Sequence, residues 1–167
     1  MNTFLFLIGA FVLGSFIYAS FSAAPWVPMR KSDIKRFLEL AEIKSAQKVY
    51  DLGCGDGRLV CAAAKSGADA EGFEISAFPY LLAQARKFFT KCVFKIRFTD
   101  FWSINLGDAD IVYFFLTPKI LLKMKTKFEK ELKKGTKVIC YVWPIPGWNI
   151  VKTSQTENRP KMFLYEV

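Results

Sequence analysis

There is no histidine anywhere in the 167 residues of this chain. That absence removes histidine general bases, Ser-His-Asp and Cys-His nucleophile systems, and imidazole metal ligands together. Its four cysteines, Cys54, Cys61, Cys92 and Cys140, are widely spaced and include no C-x-x-C pair. They read as reduced, mostly buried thiols of a cytosol-like compartment rather than a disulfide framework or a zinc site, so no metal is expected. Acidic residues are in the minority, 15 against 24 lysines and arginines, which leaves a formal charge of +9. No G-x-x-x-x-G-K-[ST] loop is present for a nucleoside triphosphate, and neither an internal repeat nor a low-complexity tail interrupts the chain.

Charge is also missing from the beginning. From Thr3 to Val27 there is no charged side chain, and Phe4 to Ala24 is almost wholly apolar. About 20 such residues suffice to cross a bilayer as a helix. A cleaved signal peptide is the alternative, with "SFSAAP" as its small-residue site, but "MNT" carries no lysine or arginine and the apolar run exceeds a usual h-region. The first basic cluster, Arg30, Lys31, Lys35 and Arg36, lies on the C-terminal side, so the positive-inside rule puts the rest of the chain on the cytoplasmic face, or the matrix face of an organelle. The expectation is a single-pass transmembrane helix over residues 1–27, with Tyr18 and Trp26 suited to the interface belt. A domain over 28–167 completes the chain and is long enough to bury a core.

After "PWVPM", a stiff exit from the membrane, Ile34, Phe37, Leu38 and Ala41 recur at helical spacing, with Ser32 as a candidate cap. Apolar or β-rich runs come next at 48–52, 69–75, 92–98, 110–116, 136–143, 148–152 and 161–166. Helical stretches at 57–66, 77–90 and 118–134 and a short turn near 101–106 separate the first five. Strand alternating with helix implies an α/β fold on a parallel sheet with right-handed crossovers. The last two runs, joined by the polar "TSQTENRP", predict an antiparallel hairpin at one edge. In the stretch 118–134, Leu121, Met124, Phe128 and Leu132 share one face and seven lysines are expected to point outward. Those lysines form a solvated face or a surface lying against anionic lipid. No nucleic-acid module accompanies the charge, so nucleic acid is not expected as a partner.

"KVYDLGCGDGRLV", residues 48–60, places a glycine-rich turn directly after the first strand. In an open parallel sheet, ligands sit beyond the carboxyl ends of the strands, and this first turn comes closest to them. The dinucleotide fingerprint G-x-G-x-x-G is not met: the spacing is G-x-G-x-G, and Arg58 stands where the third glycine belongs. Four of the few acids converge on the same rim: Asp51 ends strand one, Asp56 lies in the loop, Glu74 ends strand two and Asp100 ends strand three. A pyrophosphate would be repelled there and a cation held. S-adenosylmethionine is such a ligand, with a sulfonium, an ammonium and an adenosine rich in hydrogen-bond donors. Glu74 is suited to the ribose hydroxyls and Asp100 to the adenine amino group. Strand-end capping is the alternative for Asp51 and Glu74. For Asp100 it is a cap on "FWSI", and for Asp56 a cap on the helix from Gly57.

With these residues in place, the chain resembles class I methyltransferases, "YDLGCGDGR" being a specific version of their first motif. "PWVPMRKSDIKRFLELAEI", "GFEISAFPYLLAQAR" and "DFW" resemble a narrower group, the membrane-anchored protein lysine methyltransferases that act on the c-subunit of ATP synthase and on adenine nucleotide translocase. The likeness runs from about Pro25 to the end. It implies a Rossmann-like, seven-strand fold and an enzyme that uses S-adenosylmethionine to methylate lysine in a membrane or membrane-associated protein. It further implies that Asp51, Gly53 and Gly55 line the cofactor's methionine part, with Glu74 at the ribose and Asp100 at the adenine, and Cys54, Asp56 and Phe101 are assigned to the cofactor with them. "FFLTP", Phe114 to Pro118, corresponds to the segment that borders the acceptor, so Thr117 and Pro118 are the residues nearest the chemistry. No N-P-P-Y or D-P-P-Y stands there, which argues against methylation of a base or a glutamine amide. An aromatic channel of Phe115, Trp143 and Pro144, with Tyr113, Phe114 and Thr117 beside it, would deliver the amine, although ordinary packing would also account for each of these. Two other functions stay open: methylation of a small or lipid-like molecule at the membrane, and a catalytically silent membrane adaptor.

Overall fold

A computed structural model describes residues 26–167 and, ahead of them, residues 3, 5–7, 9, 10, 13 and 14. Those eight are helical, but most of the expected anchor over residues 1–27 lies outside the described residues. Among the described residues, no helix is long and apolar enough to cross a membrane.

From residue 31 onward the order is α1 (Lys31–Ala41), β1 (Lys48–Leu52), α2 (Arg58–Lys65), β2 (Asp69–Glu74), α3 (Ala77–Thr90), β3 (Lys95–Phe98), β4 (Ile111–Phe114), α4 (Leu121–Glu131), β5 (Lys137–Tyr141), β6 (Lys152–Ser154) and β7 (Met162–Glu166). Single 3₁₀ turns at Phe101–Ser103 and Pro118–Ile120 precede β4 and α4 respectively. The strands form one seven-stranded sheet in the order β3-β2-β1-β4-β5-β7-β6. The first five are parallel, and β7 enters antiparallel between β5 and β6. All seven expected strands are present, and the C-terminal hairpin is found at its edge. Strand six is shorter and later than the run 148–152, because "WPIPGWNI" forms turns before Val151 returns to the sheet through its bond to Leu164.

Side-chain alternation divides the core into two layers. Val49, Ile111, Ile139 and Leu164 face α1, α2 and α3 with Phe37, Leu59 and Ala83. Tyr50, Leu52, Val112 and Phe114 face α4 with Leu121, Met124 and Phe128. Because successive residues of a strand point to opposite faces, Asp51 and Tyr113 share the first face. They are also directly opposite each other in the β1–β4 register.

Three details differ from the sequence expectation. The cap of α1 is Arg30, and Ser32 lies within the first turn; the helix is held instead by the buried pair Arg36–Asp33 at 2.9 Å, with Tyr141 donating to Asp33. Arg36 also donates to the Ser154 and Pro160 carbonyls, which ties the C-terminal hairpin to α1. The helix expected over 118–134 begins as a 3₁₀ turn at Pro118 and ends at Glu131. Finally, its lysines do not all face solvent. The half-buried Lys127 ammonium donates to the Ile104 carbonyl and to Glu131, Lys123 lies 4.0 Å from the Trp102 ring centroid, and Lys133 pairs with Asp110.

Candidate active site

The chain order reverses between β1 and β4, and a crevice forms beyond the carboxyl ends of the strands at such a point. Here it is a cleft lined from β1, β2, β4 and the loops that follow them. Its floor is the turn after β1. Gly53 and Gly55 have φ of +80° and +56°, a region that penalises any side chain, and a Cβ on Gly55 would lie 2.5 Å from the Trp26 ring nitrogen. The turn is fixed to β2 by Gly53 and Cys54 donating to the Phe73 carbonyl and by the Gly55 N–H donating to Glu74 Oε2 at 2.8 Å. Glu74 also accepts from the Ile75 and Ser76 N–H groups through Oε1. It therefore closes its own strand end and clamps the glycine turn at once.

Each of the four rim acids has a different environment. Asp51 is buried and lines the cleft. Burial, then the nearby charges of Glu74 and Asp56, push its pKa well above the ordinary carboxylate value. Asp56 is paired with two arginines. Arg58 approaches it through Nε and Nη2, and Arg86 through Nη2 at 2.8 Å. Burial alone would raise Asp56, but the two guanidiniums outweigh it and hold the group below its usual value. It does not cap α2, whose cap Gly57 has no side-chain bond. Asp100 accepts from the Trp102 N–H and so caps the 3₁₀ turn, with its side chain on the cleft rim.

Every residue assigned to the cofactor from sequence (Asp51, Gly53, Cys54, Gly55, Asp56, Glu74, Asp100 and Phe101) lines this cleft, and so does Phe115. Thr117, Pro118, Trp143 and Pro144 do not. The backbone explains the last two: Trp143 N–H donates to the Tyr141 carbonyl around Val142 at φ +75°, a γ-turn that swings the chain off the end of β5 and leaves Trp143 exposed.

Sequence reasoning missed two features of the cleft, its outer wall and the state of the hydroxyl on Tyr113, a residue the sequence places beside the acceptor channel. The outer wall is the stretch Trp26, Val27, Pro28 and Met29, held by Arg58, which donates to the Met29 carbonyl at 2.6 Å. The arginine that breaks the dinucleotide fingerprint is thus the clasp on that wall, oriented by Asp56. The second is the Tyr113 hydroxyl, fully buried at the cleft and without a hydrogen-bond partner among the described residues. Burial first, and the Asp51 charge second, keep its phenol neutral far above its usual range. A buried hydroxyl without a partner, next to a buried carboxylate, is costly unless a ligand satisfies it. A zwitterionic amino-acid group, with an ammonium for Asp51 and a carboxylate for a phenol donor, would do so.

A seven-stranded sheet in this order, with an acid-rimmed glycine turn at its switch point, is the fold and site of a class I S-adenosylmethionine-dependent methyltransferase. A Salinibacter ruber RNA methyltransferase crystallised with S-adenosylhomocysteine superposes with a TM-score of 0.80 at 27% identity, covering 84% of this chain and 94% of that one. Residues 51–152 match the family model described as the ANTKMT methyltransferase domain. A protein-lysine N-methyltransferase of Saccharolobus islandicus is 33% identical over 150 residues, 86% of this chain and 93% of its own length. The adenine nucleotide translocase lysine N-methyltransferase of Mus musculus is 30% identical over 146 residues, 86% of this chain and 63% of its own, so the chain spans less than two thirds of that relative. The chain belongs to the ANTKMT methyltransferase family of protein-lysine N-methyltransferases, as its motifs suggested, and S-adenosylmethionine is its cofactor.

Proposed function

We propose that this enzyme is tethered to a membrane by its N-terminal apolar segment and methylates the ε-amine of a lysine in a membrane or membrane-associated protein, working on the cytoplasmic or matrix face. The observation that carries the reading is the outer wall of the cleft. Trp26 to Met29 directly follows the uncharged segment of residues 1–25 and also bounds the cofactor cleft. A cleft walled by the first residues after an anchor opens where a membrane substrate is accessible. The described part of that segment agrees in character: Leu5, Phe6, Leu7 and Leu13 all project into solvent from a helix.

Within the site, Asp51 and Tyr113 would hold the amino-acid end of S-adenosylmethionine. Glu74 would accept from the ribose hydroxyls, Asp100 from the adenine amino group, and Phe101 would pack on the base. The bound cofactor supplies a methyl group made electrophilic by its sulfonium. What remains for the protein is positioning and drying, since holding an amine in line with that methyl contributes more than any acid or base. The acceptor lysine, with a solution pKa of about 10.4, must arrive unprotonated. Phe115, Leu116 and Trp26 form apolar walls that disfavour the ammonium form, and Thr117 and Pro118 would border the approach.

The test is incubation of the full-length protein with methyl-labelled S-adenosylmethionine and membranes, with Asp51→Ala as control. Label is expected in a discrete membrane polypeptide and absent in the control. Label confined to lipid, small molecules or RNA would replace the protein substrate by that class. No transfer despite S-adenosylhomocysteine binding would leave a silent adaptor.

A further inference from the structure

The outward face of α3 has the wrong polarity for solvent. Phe78, Leu81, Ala85, Phe88 and Phe89, spaced by three, four and three residues with the last two adjacent, all lie on its exposed side. Phe88 and Phe89 are 79% and 80% exposed and contact each other edge to face, and Val93 just beyond the helix is 90% exposed. The inner face, with Ala77, Pro79 and Ala83, already meets the core. The exposed stripe is therefore a second apolar surface, most open at Phe88, Phe89 and Val93.

Charge selects its occupant. Between Glu74 and Asp100 there is no acidic residue, while Arg86, Lys87, Lys91, Lys95 and Arg97 supply five cations. Arg86, Lys95 and Arg97 pair with Asp56, Asp69 and Glu71, whereas Lys87 and Lys91 are exposed and carry no ion pair among the described residues. Aromatic side chains flanked by unpaired lysines suit a surface with anionic headgroups over an apolar layer. Chain continuity points the same way: Trp26, at the end of the uncharged N-terminal segment, packs edge-on against Phe78 at the head of the stripe, ring centroids 6.0 Å apart. The lysine-rich α4, the candidate for this role on sequence grounds, offers one large exposed apolar side chain, Leu122, and has several lysines already engaged.

We infer that α3 docks on an anionic bilayer through Phe78, Leu81, Phe88, Phe89 and Val93, with Lys87 and Lys91 at the headgroups. The inference rests on the membrane reading under Proposed function and deepens it. Docking on this side sets the Trp26–Met29 wall of the cleft at the interface, so the cofactor is presented to a lysine at headgroup depth.

The experiment uses full-length protein in phosphatidylcholine vesicles containing 30% phosphatidylserine and a nitroxide-labelled lipid, in roughly the anionic-lipid range that attracts basic segments. A bimane fluorophore is placed at Phe89→Cys, with Lys134→Cys beyond α4 as control; the four native thiols are buried and spared. The bimane at 89 is expected to shift to the blue and lose at least half its emission to the lipid quencher, and the control to do neither. An alkaline wash of the same vesicles reports separately on the anchor. Protein that resists the wash while position 89 stays unquenched overturns the docking and keeps the anchor. Quenching at 89 on protein that the wash releases keeps the docking and removes the anchor. A bimane shielded from aqueous iodide yet untouched by the lipid quencher means that protein covers the stripe, and overturns the inference.

Discussion

Replacing Tyr113 by phenylalanine removes one oxygen and leaves the ring in its edge-to-face contact with Phe37, 5.3 Å between centroids. That oxygen is buried without a partner among the described residues, an arrangement that costs about 1–3 kcal/mol where no ligand completes it. Tyr113→Phe should therefore stabilise the ligand-free enzyme by about 1 kcal/mol. For a chain of this size that raises Tm by roughly 2–4 °C, measured by calorimetry or near-ultraviolet dichroism. Ligand binding should move the opposite way. A hydrogen bond to a charged group contributes about 1.5–3 kcal/mol, so losing the phenol donor to the cofactor's carboxylate should weaken S-adenosylhomocysteine binding about tenfold or more. 5′-Methylthioadenosine lacks the amino-acid end and should bind the variant and the parent equally. The combination of higher stability, weaker S-adenosylhomocysteine and unchanged methylthioadenosine is specific to a residue that the ligand completes. A fall in Tm, or equal losses for both ligands, would refute the assignment of Tyr113 to the amino-acid end.

Glu74→Ala leaves the N–H groups of Gly55, Ile75 and Ser76 without their acceptor. It should lower stability by at least about 2 kcal/mol in urea titrations and abolish S-adenosylhomocysteine binding; unchanged affinity in isothermal calorimetry would remove Glu74 from the ribose site. Asp51 gives a pH signature whose sign is fixed. Its folded pKa lies well above the usual 3.8, so the folded chain binds more protons between those two values. Ligand-free stability therefore falls as pH rises from about 3.8 through Asp51's own pKa. Cofactor affinity rises over the same window, because only the carboxylate attracts an ammonium. Asp51→Asn should flatten both slopes, and a variant that keeps the parent's pH dependence would assign it to another group.

Much of this protein was legible from local pattern. Strand–helix alternation gave seven strands and their parallel majority, because hydrophobic periodicity and glycine-rich turns are properties of neighbouring residues. The glycine turn with its acids named the cofactor, since those residues are close in sequence or stand at strand ends, where a parallel sheet must gather them. Side-chain partners were not legible. Asp56 was legible as a residue of the glycine turn, but not its pairing with Arg58 and with Arg86, the latter 30 residues away. Lys127 looked solvated until the turn at Trp102–Ile104 placed carbonyls around it. The left-handed Val142 that carries Trp143 away from the cleft has no signature in a β-branched residue. The sequence alone determined the class of fold, the cofactor and the family, because those depend on residue types at fixed spacing. Only the tertiary structure decided that Trp26–Met29 walls the cleft, that Tyr113 meets Asp51 across β1 and β4, and that the apolar face of α3 points outward. Each of those depends on which distant surfaces meet, and long-range packing sets that independently of local pattern.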